Sequence, residues 1–202
     1  MIQIEKLSKS YGKNQVLLDI NVHLEQGQAY GFVGDNGSGK TTLFRCIAGI
    51  ESYEGKVNSA LENIKNNLGY LQTTPVFMSR ITGWEYLKLL CSARQIKEEN
   101  FEEENIFELP LRAYAENYST GMKKKLALTA LLLQRNELYI LDEPFSGVDM
   151  HSNIKIMNLI HNLKTQGKTL LISSHILSTL TDTCDHIYHL QDGRLDAFIA
   201  PE

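Results

Sequence analysis

The residues best suited to chemistry form a glycine-rich run, Gly34-Asp35-Asn36-Gly37-Ser38-Gly39-Lys40-Thr41, which has the spacing of a P-loop. It stands between an apolar segment (residues 28–33) and a segment of helix-like composition (residues 41–48), a context that a plain glycine-rich turn would not need. In a P-loop the glycines let successive backbone N–H groups face phosphate oxygens, and the following helix adds its positive end. The residues expected to bind phosphates are Gly34, Asn36, Gly37, Ser38, Gly39, Lys40, Thr41 and Thr42.

Two residues of this run have further roles in a P-loop. Lys40 should reach the β- and γ-phosphates of a nucleotide, and Thr41 should place its hydroxyl where Mg²⁺ sits between them. Such a site also needs an acid that holds the metal through water, and Asp142 follows an apolar segment, residues 138–141. Its neighbour Glu143 is then the candidate that polarises or deprotonates the attacking water. Adjacent acids at a strand end can also be only a loop start, but the P-loop favours the catalytic interpretation.

Beyond the P-loop, the chain resembles the ABC ATPases over nearly its whole length, because further elements follow in the order of that family. Tyr11 is similar to the aromatic residue that stacks on adenine. Gln72 resembles the Q-loop glutamine that contacts Mg²⁺ and links the nucleotide state to a permease. His175 resembles the switch histidine, and Leu138 to Pro144 resemble Walker B. The resemblance implies that the nucleotide is ATP and that the metal is Mg²⁺, held by Thr41, Gln72 and Asp142.

Three of these residues also have ordinary interpretations. Tyr11 could be a packed tyrosine, because aromatic stacking tolerates many sequences. Gln72 could be a loop residue, and His175, which follows an apolar segment, could be a structural histidine. Their occurrence in one order with the P-loop and the paired acids favours the functional interpretation. The residues that the resemblance assigns to hydrolysis are Glu143, His175, Lys40 and Gln72.

Residues Tyr118-Ser119-Thr120-Gly121-Met122 resemble the signature motif of the family, with two departures. Thr120 stands where glycine is usual and Met122 where glutamine is usual, whereas Ser119 and Gly121 match. A serine ahead of a helix offers a hydroxyl, free N–H groups and a positive dipole end to a phosphate. The resemblance implies that Ser119 and Gly121 contact the γ-phosphate of ATP held by an opposing protomer.

The segment Ser146-Gly147-Val148-Asp149 resembles the D-loop, which places Asp149 at a dimer interface. The resemblance thus implies a head-to-tail dimer with two ATP molecules between its protomers, whether the second ATPase subunit is a copy of this chain or a related one. The serine-x-glycine-methionine form, followed by three lysines (residues 123–125), and the segment Thr82-Gly83-Trp84-Glu85 are most similar to ATPases of bacterial exporters. Those ATPases drive separate membrane permeases.

Two other features invite different functions. The lysines at 123–125 could suggest nucleic-acid binding, but in an acidic protein such a run is usually a solvated helix face, and no nucleic-acid partner is expected. Cys184, His186 and His189 could suggest zinc, but side chains three apart in a strand point to opposite faces and no fourth ligand is evident.

Other P-loop proteins share part of this pattern. ABC-type ATPases that act on DNA or ribosomes have the same nucleotide site, but they carry long coiled-coil insertions or two cassettes, and neither occurs here. Small-molecule kinases and GTPases would explain the P-loop but not the signature or switch elements, and the guanine-reading Asn-Lys-x-Asp motif is absent from the sequence. The sequence favours a transport ATPase, with action on nucleic acid or ribosomes as the alternative.

Apolar and helix-like segments alternate along the chain, as in a parallel sheet covered on both faces. Segments near both ends look antiparallel instead, including a hairpin at 186–199 with a turn at Asp192-Gly193. The fold class expected is α/β, a P-loop NTPase core with a mostly parallel sheet, a flanking antiparallel β subdomain and an inserted helical subdomain. The strands expected in the core are residues 28–33, 138–141 and 169–173.

Between residues 73 and 134 strand signals give way to helical ones. Thr82 begins a capping box and predicts a helix that runs to Ala93. The acidic residues 98–99 and 102–104 are interpreted as a solvated face or loop. The chain is therefore expected to be a single ABC ATPase domain over 1–202, with a nucleotide-binding core at 1–72 and 135–202 and a helical subdomain at 73–134.

Composition bears on where the protein works. The formal net charge of -4 gives no overall attraction to nucleic acid or anionic lipid, and three widely spaced cysteines suit a reducing compartment. The start of the chain lacks the pattern of a signal peptide, and the longest apolar stretch, around 126–133, is far shorter than the ~20 residues that span a bilayer. We expect a cytoplasmic protein without direct membrane insertion, held peripherally on the inner face of the cell membrane by integral membrane permease subunits.

Overall fold

The computed structural model describes residues 2–61, 64–97 and 100–198. Glu98 and Glu99 of the expected acidic run, and Ile199 at the end of the last expected strand, lie outside the described residues. In chain order the strands are β1 (Ile2–Tyr11), β2 (Asn14–Leu24), β3 (Ala29–Val33), β4 (Glu54–Ser59), β5 (Leu68–Leu71), β6 (Leu138–Asp142), β7 (Thr169–Ser174), β8 (His186–Gln191) and β9 (Arg194–Ala197). The helices are α1 (Lys40–Ile47), α2 (Ile64–Asn67), α3 (Gly83–Ala93), α4 (Thr120–Leu133), α5 (Met150–Thr165) and α6 (Leu177–Thr181).

A six-stranded sheet forms the centre of the fold, with the order β5-β6-β7-β3-β8-β9. Neighbouring strands are parallel except for β8 and β9, which are antiparallel. Every residue of β6 and β7 is buried, as expected for central strands that are covered on both faces. The three core strands predicted from the sequence are β3, β6 and β7, and their carboxyl ends lie side by side at one end of this sheet.

A second, antiparallel sheet has three strands in the order β2-β1-β4. It contains the N-terminal segments that were expected to be antiparallel. The C-terminal hairpin has the expected antiparallel pairing between β8 and β9, but it belongs to the central sheet because β8 pairs in parallel with β3. That pairing joins segments far apart in the chain, so the pattern of the hairpin alone could not indicate it.

The stretch between β5 and β6 carries α3 and α4. The predicted capping box is present, because the Thr82 hydroxyl accepts a hydrogen bond from the backbone N–H of Glu85, while the Glu85 side chain accepts one from the backbone N–H of Thr82. This helix ends at Ala93, as predicted. The described residues between α3 and α4 contain a short 3-10 helix (Ala115–Asn117), an isolated β-bridge from Tyr114 to Thr82, and otherwise turns and irregular chain, so the region is less helical than its composition indicated.

Two buried clusters hold these layers together. One joins α3, α4 and α5 to the central sheet and includes Leu87, Leu128 and Ile156. The other lies between the central sheet, α1 and the antiparallel sheet, where the rings of Phe32 and Phe44 meet edge to face with centroids 5.2 Å apart. Because α4 shares its core with β6 and β7, the residues at its start are held in a fixed position relative to the end of the sheet.

Candidate nucleotide site

The glycine-rich loop connects β3 to α1, so it lies at the carboxyl end of the central sheet. Gly39 immediately precedes α1 with a φ of 107°, a left-handed conformation that residues with a Cβ rarely adopt. A Cβ on Gly34 would lie 2.4 Å from the backbone oxygen of Leu190, so this position has no room for a side chain. The first N–H groups of α1 have no partner within the helix, and together with its positive end they suit an anion such as phosphate.

A cleft of about 290 Å³ opens in front of this loop. Inside it, Lys40 Nζ donates hydrogen bonds to the backbone oxygens of Gly34 (2.6 Å) and Asp35 (3.0 Å). The buried hydroxyl of Ser38 has no hydrogen-bond partner in the described residues, which leaves it able to serve a phosphate oxygen. The residues that line the cleft are Val16, Asn36, Gly37, Gly39, Lys40, Thr41, Thr42, Thr73 and Glu143.

Asp142 ends β6 beside the cleft and is completely buried. Its Oδ2 accepts hydrogen bonds from the hydroxyls of Thr41 and Thr73, both at 2.7 Å. Its Oδ1 accepts a hydrogen bond from the hydroxyl of Ser173 on β7 at 2.6 Å. These bonds satisfy the oxygens of a buried side chain and fix its orientation toward α1.

The oxygens of Thr41, Thr73 and Asp142 fit a magnesium ion, which prefers oxygen ligands and shares them with substrate phosphates and water. No group of three or more His, Cys, Asp or Glu side chains that could hold a metal ion occurs in the described part of the chain. At the position considered for zinc, burial raises the pKa of the Cys184 thiol to about 11, which disfavours the thiolate that would bind a metal.

Glu143 directly follows β6 and places its carboxylate between two basic side chains. Its Oε2 lies 2.9 Å from Nδ1 of His175, and its Oε1 lies 3.7 Å from Nζ of Lys40. The Glu143 side chain is almost buried, and Oε1 has no hydrogen-bond partner among the described residues. The hydrogen bond at Oε2 orients the carboxylate, and Oε1, which accepts no hydrogen bond from the described residues, can accept a proton from water placed in the cleft.

Tyr11 and Gln72, both assigned to the nucleotide by resemblance, are not among the residues that line the cleft. Tyr11 ends β1 with 45% of its surface exposed, and the ammonium of Lys9 lies 4.8 Å from its ring centroid. Gln72 follows β5 and is exposed. The residue in this segment whose hydroxyl reaches Asp142 is the neighbouring Thr73. The described structure thus brings Lys40, Asp142, Glu143 and His175 together, and the contacts of Tyr11 and Gln72 with a nucleotide stay predictions.

The signature-like residues lie at the start of α4. Ser119 caps this helix, with its hydroxyl accepting a hydrogen bond from the N–H of Met122 at 3.2 Å. Gly121 packs closely against the D-loop-like segment, because a Cβ on it would lie 2.7 Å from the backbone oxygen of Gly147. Asp149 caps α5 through Ser152, and these bonds hold the pKa of its carboxyl far below the usual range.

Three residues beside Asp142 and Glu143 escaped the sequence analysis: Thr73, Ser173 and Lys124. Ser173 ends a predicted strand and Thr73 follows the predicted Q-loop glutamine, so their places in the chain were the available signals. Lys124 gave no such signal. The interpretation of residues 123–125 as a solvated face is wrong for Lys124, which is 1% exposed because its ammonium is hydrogen-bonded to the backbone oxygens of Glu143 and Ser146.

Known proteins are similar to this chain in sequence and in fold. The sequence model of the ABC transporter family matches residues 17–146. The bacitracin transport ATP-binding protein BcrA of Enterococcus faecalis is 33% identical, with the match covering 96% of this chain and 68% of that protein. The lantibiotic transport ATP-binding protein SrtF of Streptococcus pyogenes is 28% identical, with 96% and 89% covered.

Solved structures give the same picture. The structure of an ATP-binding subunit of an ABC transporter superposes with a TM-score of 0.86 at 26% identity and covers 99% of this chain and 90% of that one. The cassette MJ0796, solved as a dimer bound to ADP and Pi, shares the fold with a TM-score of 0.87 at 20% identity over the full length of both chains. Since the family match spans more than half of the sequence and includes the P-loop, Asp142 and Glu143, the chain belongs to the ABC transporter family, as one of its ATP-binding and ATP-hydrolysing proteins.

Proposed function

We propose that this chain is the motor subunit of an exporter, which binds and hydrolyses ATP to drive a separate membrane permease. The observation that carries the proposal is the placement of Glu143 at the cleft, between His175 at 2.9 Å and Lys40 at 3.7 Å. That arrangement supplies a proton acceptor, a group that orients it and a cation for phosphate, which are the parts that ATP hydrolysis requires.

Each residue that the sequence assigns to the nucleotide or to hydrolysis has a role in this proposal. The P-loop amides and Lys40 bind the β- and γ-phosphates of ATP, and Tyr11 stacks on adenine. Thr41 and Asp142, with Gln72 when the cleft closes, hold Mg²⁺, which when bound neutralises charge on the phosphates. Glu143 accepts a proton from the attacking water, and His175 keeps the Glu143 carboxylate turned toward that water.

A lone chain is an incomplete enzyme in this proposal. Ser119 caps α4 and Gly121 lies in its first turn, and neither is among the residues that line the P-loop cleft. We assign them to the γ-phosphate of ATP bound by a second subunit, in a head-to-tail dimer with Asp149 at the interface. Exposed apolar side chains next to Asp149 support an interface there, since Met150 is 81% exposed and Ile154 is 53% exposed.

The permease contact belongs to the segment after β5. Gln72 is followed at a short distance in the chain by Val76 and Met78, which are 83% and 56% exposed, so exposed apolar side chains lie close in the sequence to the residue that we assign to Mg²⁺. None of the described helices combines the length and the apolar character that crossing a bilayer would need. We therefore propose that the chain is cytoplasmic and is held at the inner face of the membrane by its permease.

We propose that the whole chain forms a single domain. The helical part that we assign to residues 73–134 shares a buried cluster with the core strands, which supports a single ABC ATPase domain with α4 as the element between the subdomain and the nucleotide site. Export as the direction of transport rests on the likeness to proteins named for bacitracin and lantibiotic transport.

The dependence of turnover on protein concentration tests the shared site. Purified chain with saturating Mg²⁺-ATP should show a specific activity that rises with protein concentration and then levels off, because two chains must meet before either ATP is hydrolysed. The association state is followed on the same samples by light scattering. Full specific activity in a dilute sample that contains only monomer would contradict the proposal.

A further inference from the structure

Lys124 is a buried cation that the roles assigned above do not use. It lies in the second turn of α4 and is 1% exposed, whereas Lys123 and Lys125 beside it are partly exposed. Its Nζ donates hydrogen bonds of 2.7 Å to the backbone oxygens of Glu143 and Ser146. Burial lowers the pKa of Lys124, which shows that placing a cation here is costly. A leucine or methionine would fill the same space without that cost, so the two hydrogen bonds are what the lysine adds.

The turn that Lys124 contacts has an unusual backbone. Glu143 has a φ of 52°, in the left-handed region that residues other than glycine seldom occupy. Its N–H donates to the hydroxyl of Ser173 at 2.9 Å, and its backbone oxygen accepts from Lys124. The peptide groups on both sides of the Glu143 Cα are thus fixed by side chains from two other elements, β7 and α4. The direction of the Glu143 side chain follows from the orientation of these two peptide groups.

The same helix contacts the segment after Glu143 at two more points. Gly121 lies against the backbone oxygen of Gly147, and Lys125 Nζ lies 3.2 Å from Oδ2 of Asp149 and 3.1 Å from the hydroxyl of Ser152. The start of α4 and the segment from 143 to 152 therefore form one packed unit. Lys124 is the member of this unit that reaches the backbone of Glu143.

We propose that Lys124 is a positioning residue for ATP hydrolysis: by binding the backbone oxygens of Glu143 and Ser146, it sets the orientation of the Glu143 carboxylate relative to the start of α4. This inference rests on the proposed role of Glu143 as the acceptor of the proton. It implies that one side chain links two parts of the site. Lys124 holds the start of α4, where Ser119 would meet the ATP of the opposing subunit, against the turn that carries Glu143, the residue that would activate water at the chain's own ATP. Lys124 itself does not touch the nucleotide.

Loss of this side chain should impair the chemical step more than nucleotide binding. Without the two hydrogen bonds the Glu143 peptide can turn, and a shift of about 1 Å in a reacting group can lower a rate by about 100-fold. The P-loop, which binds the phosphates, makes no contact with Lys124 among the hydrogen bonds and ion pairs of the described residues. The separation of turnover from binding is therefore the measurement that matters.

The test compares three single variants. Lys124→Met keeps the length and removes the donors, whereas Lys124→Gln keeps an uncharged NH₂ group, with two N–H donors, on a shorter side chain. The control is Lys123→Met, the same change one residue earlier, where the described residues give the ammonium no hydrogen-bond or ion-pair partner. Each protein is assayed for Mg²⁺-ATP affinity and for turnover per ATP-binding site, so that unfolded protein does not count.

We expect turnover to fall by about 10-fold or more in Lys124→Met and by less in Lys124→Gln, with ATP affinity within about threefold of that of the unchanged chain. Lys123→Met should keep both values. If Lys124→Met does not fold, Lys124→Gln decides alone, through its turnover per binding site. Unchanged turnover in the folded Lys124 variants, or an equal loss in Lys123→Met, would overturn the proposal.

Repeating the test in the Glu143→Gln variant distinguishes a positioning role of Lys124 from general damage to the structure. If Lys124 acts through the Glu143 carboxylate, adding Lys124→Met to Glu143→Gln should cause no further loss, because the group that it positions is already disabled. A further loss by the same factor as in the unchanged background would refute the positioning role. If Glu143→Gln alone hydrolyses ATP at the full rate, the assignment of Glu143 itself fails, and that outcome is visible before Lys124 is altered.

Discussion

At the scale of single residues, the site depends on a few short contacts between charged and polar groups. Asp142 accepts three hydrogen bonds from hydroxyls, and Glu143 lies between His175 and Lys40. All of these groups are buried or nearly so except His175, and burial strengthens their mutual attraction because little water screens it. Substitutions of these residues should therefore have large effects, on ATP affinity or on ATP turnover according to whether the group serves binding or hydrolysis.

Lys40→Ala should weaken ATP binding. The variant removes a cation that would form charge-assisted hydrogen bonds with the β- and γ-phosphates, so affinity should fall by about 10- to 100-fold. Fluorescent ATP titration with Mg²⁺ measures the change. Lys155→Ala is the control, because Lys155 pairs with Glu108 at the surface, and equal affinities in the two variants would contradict the role of Lys40.

The sequence was most informative where residue type and local order carry the chemistry. Lys40, Asp142 and Glu143 stand directly before or after segments whose strand or helix character could be read from composition. Ser173 and Lys124 could not be found in this way, because their roles depend on β7 lying beside β6 and on α4 packing against the turn after β6. Such contacts join distant parts of the chain, which local patterns do not record.

At the scale of elements, α3 illustrates how a local signal fixes a boundary. Thr82 and Glu85 exchange hydrogen bonds at the start of this helix, and its buried face joins the core shared with α4. The C-terminal hairpin illustrates the opposite, since its turn was predictable but its membership of the central sheet was not. Hydrogen bonds between residues close in the chain therefore determine where a helix begins, whereas pairing between distant segments determines which strands are neighbours.

Thr82→Ala should lower the free energy of unfolding by about 1 kcal/mol, because it removes the helix cap of α3. Thr165→Ala is the matched control, since the Thr165 hydroxyl donates to a carbonyl within its own helix and has no other hydrogen bond among the described residues. Urea unfolding followed by circular dichroism compares the two variants. Equal stability of both would show that the capping box contributes little, and neither variant should change ATP affinity.

At the scale of the whole molecule, the two activities that we propose, ATP hydrolysis and coupling to a permease, share one core. The P-loop cleft lies at the end of the central sheet, and the exposed apolar residues after β5 lie on the segment that follows an edge strand of the same sheet. Movement of this segment when nucleotide binds would thus reach a permease docked against it. The chain should behave as part of a larger assembly.

Co-expression with its permease should move the chain from the soluble to the membrane fraction and raise its ATP turnover in lipid. Val76→Asp with Met78→Asp should abolish this recruitment, because charges would replace an exposed apolar surface. The same double variant should hydrolyse ATP normally when purified alone. Continued recruitment of the variant would place the permease contact elsewhere on the protein.

The central claim is that Glu143 activates water for hydrolysis of ATP. Glu143→Gln keeps the size of the side chain but cannot accept the proton, so turnover should fall by about 10²- to 10⁴-fold while ATP binding persists. ATP should then remain bound between two chains and, by mass action, hold them as a dimer that elutes as such in size-exclusion chromatography with Mg²⁺-ATP. Hydrolysis by Glu143→Gln at the rate of the unchanged chain would contradict the account and make His175 the next residue to test.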